Sequence, residues 1–162
     1  GDVMKESAMT GMGLIRANAE SWGINPDFHK KKDIHIHIPE GAMPKDGPSA
    51  GISMFTAMVS VLSGIPVRCD TAMTGEITLS GSVLPIGGLK EKALAAYRAG
   101  IKRIIIPADN MEDISEIPEE IAGEIEFIPV SQINKVLKNI LVRMPVKKES
   151  GRRAVNDGDK KS

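Results

Sequence analysis

The sequence predicts a mixed α+β fold, because segments with helical spacing alternate with short β-type segments. Apolar residues recur every three or four positions in several long stretches, which is typical of amphipathic helices. Residues 33–38 instead alternate strictly between isoleucine and polar residues, and residues 101–106 form a β-branched, apolar run. We therefore expect small mixed sheets packed by helices.

The first half of the chain is predicted to hold two long helices separated by a strand. Residues 5–22 form the first helix, ended by Gly23, and Gly11 and Gly13 within it indicate a close backbone approach. Residues 25–32 are polar and predict a surface loop. Residues 33–38 predict a strand ended by Pro39, and a loop over residues 41–48 leads into a helix that starts at Ser49 and runs to Gly64.

The second half is predicted to contain shorter elements. A strand over residues 66–71 precedes a strand, turn and strand within residues 72–85, interrupted at residues 74–76. A helix over residues 89–99 is closed by Gly100, and residues 101–106 form a buried strand. The acidic stretch 107–120 predicts a short helix capped by Asp109 or Asn110, followed by a strand over 125–130 and a helix over 130–141. Residues 147–162 are polar and predict a disordered tail.

The composition describes an ordinary globular domain and excludes several functions. At 162 residues, a chain buries about 70% of its unfolded surface, and 3% aromatic residues predict an aliphatic core. Lysine plus arginine equals aspartate plus glutamate, at 21 each, so no overall field favours nucleic acid or an anionic membrane. No stretch is long and apolar enough for a membrane span, and no signal peptide opens the chain. The single cysteine, Cys69, excludes an internal disulfide and predicts a reducing compartment.

Ser49 is the first candidate for chemistry, because it falls in the first turn of its predicted helix. Unpaired N–H groups and the positive end of the helix dipole can stabilise an oxyanion there, which suits a nucleophile. The alternative is that Ser49 caps the helix, since serine is a preferred cap. Local pattern favours the cap, because caps are far commoner than active sites.

A nucleophilic serine needs a base, and lysine and histidine both offer one. A lysine base requires a pKa about three units below its usual 10.4, at a cost of about 4 kcal/mol. Lys90 and Lys92 flank the apolar centre of the predicted helix 89–99 about equally, so periodicity does not choose between them. Both can equally lie at its rim with exposed ammonium groups.

His35 and His37 share one face of the predicted strand 33–38 and are competing bases. They also suit two metal ligands, but Glu40, Asp46 and Cys69 offer no recognisable spacing for a third. The commonest explanation for such a pair is the solvated face of an edge strand. Cys69 itself is expected to be a small buried apolar residue, and His29 in the preceding loop is expected to be solvated.

Two familiar serine motifs do not fit. Gly47-Pro48-Ser49-Ala50-Gly51 matches Gly-x-Ser-x-Gly, but a nucleophile elbow needs a tight strand-to-helix turn and a histidine after the serine. All three histidines precede Ser49. Ser-x-x-Lys also fails, because Ile52 occupies the lysine position.

Three segments in order resemble the proteolytic domain of the Lon ATP-dependent proteases. They are Pro39-Glu40-Gly41-Ala42-Met43-Pro44-Lys45-Asp46-Gly47-Pro48-Ser49-Ala50-Gly51, then Ala72-Met73-Thr74-Gly75-Glu76, then Leu84-Pro85-Ile86-Gly87-Gly88-Leu89-Lys90-Glu91-Lys92. The likeness begins at Gly1 and extends to about Val142, and Lys45-Asp46-Gly47-Pro48-Ser49 is similar to the A-type branch of bacteria and mitochondria.

The resemblance implies a serine endopeptidase with a Ser–Lys dyad, in which Ser49 is the nucleophile and Lys92 the base. It also implies that Thr74 helps to position the lysine and that Asp46, His35 and His37 lie near the dyad in supporting roles. Residues 1–142 would form the proteolytic domain without its leading strands, and residues 143–162 a polar tail. The alternative is a non-catalytic assembly or peptide-binding module of the same fold.

The resemblance further implies a larger machine acting on unfolded or damaged proteins. In that family an upstream AAA+ ATPase domain uses ATP and Mg²⁺, and the subunits form a hexameric ring in the cytoplasm or the mitochondrial matrix. This chain starts at Gly1 without methionine and carries no Gly-x-x-x-x-Gly-Lys-Ser/Thr motif. We therefore expect a fragment with no metal or cofactor site of its own, no membrane or nucleic-acid contact, and weak or absent activity.

Overall fold

The computed structural model describes residues 1–39 and 45–147 and has the predicted α+β architecture. Within those residues the helices are α1 (Asp2–Asn18), α2 (Phe28–Lys31), α3 (Gly51–Ser63), α4 (Leu89–Arg98), α5 (Glu119–Glu124) and α6 (Ile133–Ile140). The strands are β1 (Thr71–Met73), β2 (Glu76–Ile77), β3 (Val83–Leu84), β4 (Arg103–Pro107) and β5 (Glu126–Val130). Four 3₁₀ turns connect them, at Ala19–Trp22, Pro48–Ala50, Ala108–Asn110 and Glu112–Glu116.

The five strands form two small sheets. One is parallel, with the order β1-β4-β5, and the other is the antiparallel pair of β2 and β3. Parallel neighbours need crossover connections, which α4 provides between β1 and β4 and α5 provides between β4 and β5.

Residues of β4 alternate between two hydrophobic cores on opposite faces of the parallel sheet. Ile105 is fully buried in the larger core, which is built mainly from α1, α3 and α6. Ile104 and Ile106 belong to the smaller core with α4. Because successive side chains of a strand point to opposite faces, the short strand β4 separates the two cores.

Helices α1 and α3 pack closely because Gly11 lies at their contact. A Cβ atom on Gly11 would stand 2.9 Å from the Met58 side chain and 3.5 Å from the Phe55 backbone. This confirms the predicted close approach at Gly11. Phe55 also meets Trp22 edge to face, with ring centroids 5.3 Å apart, and the Trp22 indole N–H donates to Asn134.

Several predicted elements are wrong or displaced. Residues 33–38 form no strand, because no hydrogen bond joins their backbone to another described residue. The predicted loop 25–32 contains α2, and the strand expected at 66–71 is reduced to a single bridge between Val67 and Leu141. Neither Asp109 nor Asn110 caps a helix.

Helix α5 was not predicted, and the short helix expected within residues 107–120 is formed by the 3₁₀ turns Ala108–Asn110 and Glu112–Glu116. The remaining helices and strands follow the predictions to within a few residues. α4 and β5 match almost fully, β4 starts two residues late, and α6 is shorter than predicted. The predicted tail lies mostly beyond residue 147, outside the described residues, so both it and the domain limit at residue 142 stay predictions. In the described part of the chain, no helix combines the length and apolar character needed to cross a membrane.

Candidate active site

Ser49 lies in the 3₁₀ turn Pro48–Ala50, directly before α3, and is half-buried. The predicted helix is therefore present, with a 3₁₀ first turn. Neither the turn nor α3 has a side-chain cap, and the Ser49 hydroxyl bonds to no described residue. The capping role considered for Ser49 is thus wrong.

The main chain of Ser49 is anchored by the segment between β1 and β2. The Ser49 carbonyl oxygen accepts the Gly75 N–H at 2.9 Å and the Thr74 hydroxyl at 3.2 Å. The Gly75 carbonyl in turn accepts the Ile52 N–H at 3.1 Å, and the Thr74 N–H donates to Ile105 of β4. Thr74, which is buried, therefore ties the serine turn to the parallel sheet.

Glycine at position 75 allows this close contact. A Cβ atom there would stand 2.8 Å from a Val83 methyl group and 3.3 Å from one of Ile52. Gly51 is similarly confined, with the Gly75 carbonyl oxygen 3.3 Å from its ideal Cβ. Local pattern marked residues 74–76 as an interruption between strands, and the family resemblance gave a role only to Thr74, so the anchoring role of Gly75 was missed.

Lys92 lies in the first turn of α4, which begins after Gly88 in the left-handed conformation at φ 71°. Lys92 is half-buried next to the buried Ala93, whereas Lys90 is exposed. The tertiary structure therefore separates two lysines that periodicity left equal. Among residues 1–39 and 45–147, Lys92 makes no hydrogen bond with Ser49 or Thr74.

Asp46 holds the start of α1 beside the serine turn. One of its carboxylate oxygens accepts the Met4 N–H at 2.8 Å and the Gly47 N–H at 3.0 Å, and it lies 3.6 Å from the amino group of Gly1. The Met4 hydrogen bond is the main cause that lowers the pKa of Asp46 below its ordinary value of 3.8, with Gly47 and the terminal charge adding to it. Asp46 thus links α1 to the segment that carries Ser49.

His35 and His37 are exposed and line a groove beside α3. The groove has a volume of about 710 Å³, and its α3 wall is largely apolar, with Met54, Met58, Val61 and Leu62. Ala50, which ends the serine turn, and Ser53 in the first turn of α3 also line it. In the described ranges, no cluster of three or more His, Cys, Asp or Glu side chains is arranged to hold a metal ion. Glu40, weighed as a third ligand, lies outside the described residues.

The predictions for the exposure of His29 and Cys69 have opposite outcomes. His29 is exposed, as predicted. Cys69 is also exposed, so its predicted burial is wrong. It lies in the turn before β1, between the paired side chains of Arg68 and Asp70, and away from both cores.

A family comparison assigns this architecture. Residues 1–143 match the model of the Lon protease (S16) C-terminal proteolytic domain. The chain belongs to the Lon protease proteolytic-domain family. It is 59% identical over 146 residues to the Lon protease of Brevibacillus choshinensis, a match that covers 90% of this chain and 19% of that protein. It is 58% identical over 145 residues to the Lon protease of Escherichia coli K12, covering 90% of this chain and 18% of that protein.

The chain therefore spans about a fifth of the length of the curated Lon proteases that it matches. The match includes the segments around Ser49, Thr74 and Lys92, which carry the resemblance noted in the sequence. Family membership confirms the recognition from those segments and supports a protease. The roles of individual residues stay predictions.

Proposed function

We propose that this chain is the peptide-cleaving domain of an ATP-dependent Lon protease, with Ser49 as nucleophile and Lys92 as general base. The observation that carries this proposal is the arrangement of Ser49. Its carbonyl oxygen is held by Thr74 and Gly75, while its hydroxyl bonds to no described residue. A fixed main chain with an unengaged hydroxyl suits attack on a bound carbonyl.

In the proposed reaction, Ser49 Oγ attacks the carbonyl carbon of the scissile peptide bond as the uncharged amine of Lys92 accepts its proton. The C–N bond of the resulting tetrahedral intermediate then breaks, and the leaving amine takes that proton from Lys92. An acyl-enzyme on Ser49 is left. A water molecule, deprotonated by Lys92, hydrolyses the ester and regenerates the Ser49 hydroxyl.

The reaction also needs hydrogen-bond donors that stabilise the oxyanion, and the start of a helical segment can supply them. The first N–H groups of a helix have no intrahelical acceptor, and the dipole there favours negative charge. Ser49 lies at such a start, before the 13 residues of α3. The Gly51 and Ile52 N–H groups are already bonded, to the Pro48 and Gly75 carbonyls. We therefore assign the oxyanion of the tetrahedral intermediate to other N–H groups of this start, in the manner of other acyl-transfer enzymes.

The substrates that we propose are unfolded or damaged polypeptides, which can lie extended in the groove beside Ser49. Asp46, His35 and His37 support the site from its rim. The longer protein supplies an AAA+ ATPase domain with ATP and Mg²⁺ and assembles as a hexameric ring in the cytoplasm or the mitochondrial matrix. The chain alone is expected to cleave peptides weakly or not at all.

The test replaces each member of the dyad in the longer parent protein. Ser49→Ala should abolish cleavage of an unfolded protein, and Lys92→Gln should lower it by about 10²–10⁴-fold, the range of general-base contributions. Lys90→Gln is the matched control, because Lys90 lies on the same helix and is exposed. Undiminished proteolysis in either dyad variant would contradict the assignment.

A second candidate is a non-catalytic assembly or peptide-binding module. It is favoured by the absence of a hydrogen bond between Lys92 and Ser49 in the described part of the chain. A fluorophosphonate probe separates the two functions, since it labels an activated serine and spares an inert one. Labelling that requires both Ser49 and Lys92 would exclude the second candidate.

A further inference from the structure

Asn110 is a buried polar residue that binds the segment leading into α4. It ends the 3₁₀ turn after β4 and is only 3% exposed. Its Oδ1 accepts the Ile86 N–H at 2.9 Å, and its Nδ2 donates to the Ile86 carbonyl at 2.8 Å. Both backbone groups of one residue are thus paired by one side chain, as a neighbouring strand would pair them.

Asp113 determines the orientation of this amide. Asn110 Nδ2 also donates to Asp113 Oδ2 at 2.6 Å. A carboxylate accepts hydrogen bonds and donates none, so the NH₂ side of the amide must face Asp113 and the Ile86 carbonyl. Asn110 Oδ1 therefore faces the Ile86 N–H and accepts its hydrogen bond. We call this three-residue arrangement, formed by Ile86, Asn110 and Asp113, the Asn110 clamp.

The clamp holds the residue that directly precedes two glycines. Gly87 and Gly88 separate Ile86 from α4, and glycine permits many backbone conformations. Between β3 and α4, Ile86 is the residue whose backbone bonds to another part of the described chain. The Ile86 side chain also packs against the smaller core, which includes Leu89 at the start of α4.

We propose that Asn110 is a positioning residue for Lys92, holding Ile86 so that the first turn of α4 presents the lysine to Ser49. This inference rests on the proposed function. Loss of the clamp would leave the Gly87-Gly88 link free to shift, while Ala93 and Ala96 keep the rest of α4 in the smaller core. The expected defect is therefore a misplaced base on an otherwise folded domain.

The test measures how fast a fluorophosphonate labels Ser49 at a series of pH values, using the longer parent protein in which the dyad itself is tested. Asn110→Ala should slow labelling by about 10²-fold, the cost of a displacement near 1 Å at a reacting group. It should also move the pH at which labelling is half-maximal, which a loss of stability alone would not do. Asp113→Asn keeps the amide but removes its orienting charge, and should give a smaller change in the same direction.

Asn134→Ala is the matched control. It removes the acceptor of the buried Trp22 indole N–H, so it should lower the unfolding midpoint comparably, far along the chain from α4. Its labelling rate and pH profile should stay those of the wild type. If Asn110→Ala does not fold, Asp113→Asn decides the outcome.

Hydrogen exchange provides a readout that does not need a reactive serine. Asn110→Ala should speed exchange of the amides of residues 86–92 more than Asn134→Ala does. If Lys92→Gln stops labelling but Asn110→Ala matches Asn134→Ala in rate, pH profile and exchange, the positioning role is wrong while the proposed function stands. If the wild type is unreactive, or Lys92→Gln reacts normally, the proposed function fails and the positioning role with it.

Discussion

The carbonyl oxygen and the hydroxyl of Ser49 differ in their hydrogen bonds. Its carbonyl oxygen receives two hydrogen bonds from the Thr74–Gly75 pair, and its hydroxyl has none from the described residues. Thr74 was expected, from the family resemblance, to position the lysine. That role stays a prediction. The Thr74 hydroxyl donates to the serine main chain, so its contribution to the site can be measured at Ser49.

Replacing Thr74 tests this contribution. Thr74→Val keeps the shape but removes the hydrogen bond to Ser49, and should cost about 1 kcal/mol of unfolding free energy. Thr74→Ser keeps the hydroxyl and loses one methyl group, at a similar cost of about 0.8 kcal/mol. We expect only Thr74→Val to slow fluorophosphonate labelling of Ser49. Equal labelling rates in both variants would show that this hydrogen bond does not serve the serine.

The hydrogen bonds by which Asp46 links α1 to the serine turn should stabilise the fold less at acid pH. Because hydrogen bonds from Met4 and Gly47 lower its pKa below 3.8, the unfolded chain takes up this proton before the folded chain does. The stabilisation is therefore present above about pH 4 and is lost as the pH falls through the lowered pKa. Denaturant unfolding between pH 7 and 2 should show wild type and Asp46→Asn converging below pH 3.8. A stability difference that is independent of pH would contradict this prediction.

At the scale of elements, the segment between β1 and β2 connects the two sheets and the serine turn. β1 belongs to the parallel sheet and β2 to the antiparallel pair, with only Thr74 and Gly75 between them. Those two residues bond to both Ser49 and β4. The break between the two strands, which is also one of the three Lon-like segments of the sequence, is thus the junction that holds the main chain of Ser49.

Gly75→Ala should damage this junction. Its new methyl group would meet a Val83 methyl at 2.8 Å, and the β-branched side chain of Val83 has little freedom to move away. We expect a loss of about 1–3 kcal/mol in unfolding free energy, measured by chemical denaturation. Gly87→Ala is the control, since nothing lies within 4 Å of its ideal Cβ, and its stability should change little.

At the scale of the whole molecule, residues 33–38 have no backbone partner among the described residues. Residues 33–38 line the groove beside α3 but form no backbone hydrogen bond with the described chain. Backbone N–H and C=O groups without a partner are open to pairing by another chain.

Hydrogen exchange can test directly whether the backbone of residues 33–38 lacks a partner. In the 162-residue chain, the amides of residues 34–38 should exchange at nearly the rate of an unfolded peptide, whereas those of β4 should be among the most protected. Mass spectrometry of the exchanged chain resolves the two segments. Protection of residues 34–38 to the level of β4 would mean that they already have a partner.

Much of the fold and part of the site could be predicted from local pattern. Helical spacing predicted α1, α3 and α4, and the apolar run at 101–106 predicted β4, because burial on one face imposes these periods on the sequence. The same reasoning failed for residues 33–38, since alternation indicates which faces are apolar but not whether a neighbouring strand exists. It also failed for Asn110, because a buried amide that bonds to backbone 24 residues away leaves no periodic pattern.

The sequence by itself therefore determined the α+β class, the main helices and the family, since these depend on local periodicity and on three ordered motifs. The tertiary structure decided which lysine is half-buried, how Ser49 is held, and which buried side chain holds the segment before Lys92. These features arise from contacts between residues distant in the chain, whose hydrogen bonds and close packing become visible only when the elements are assembled.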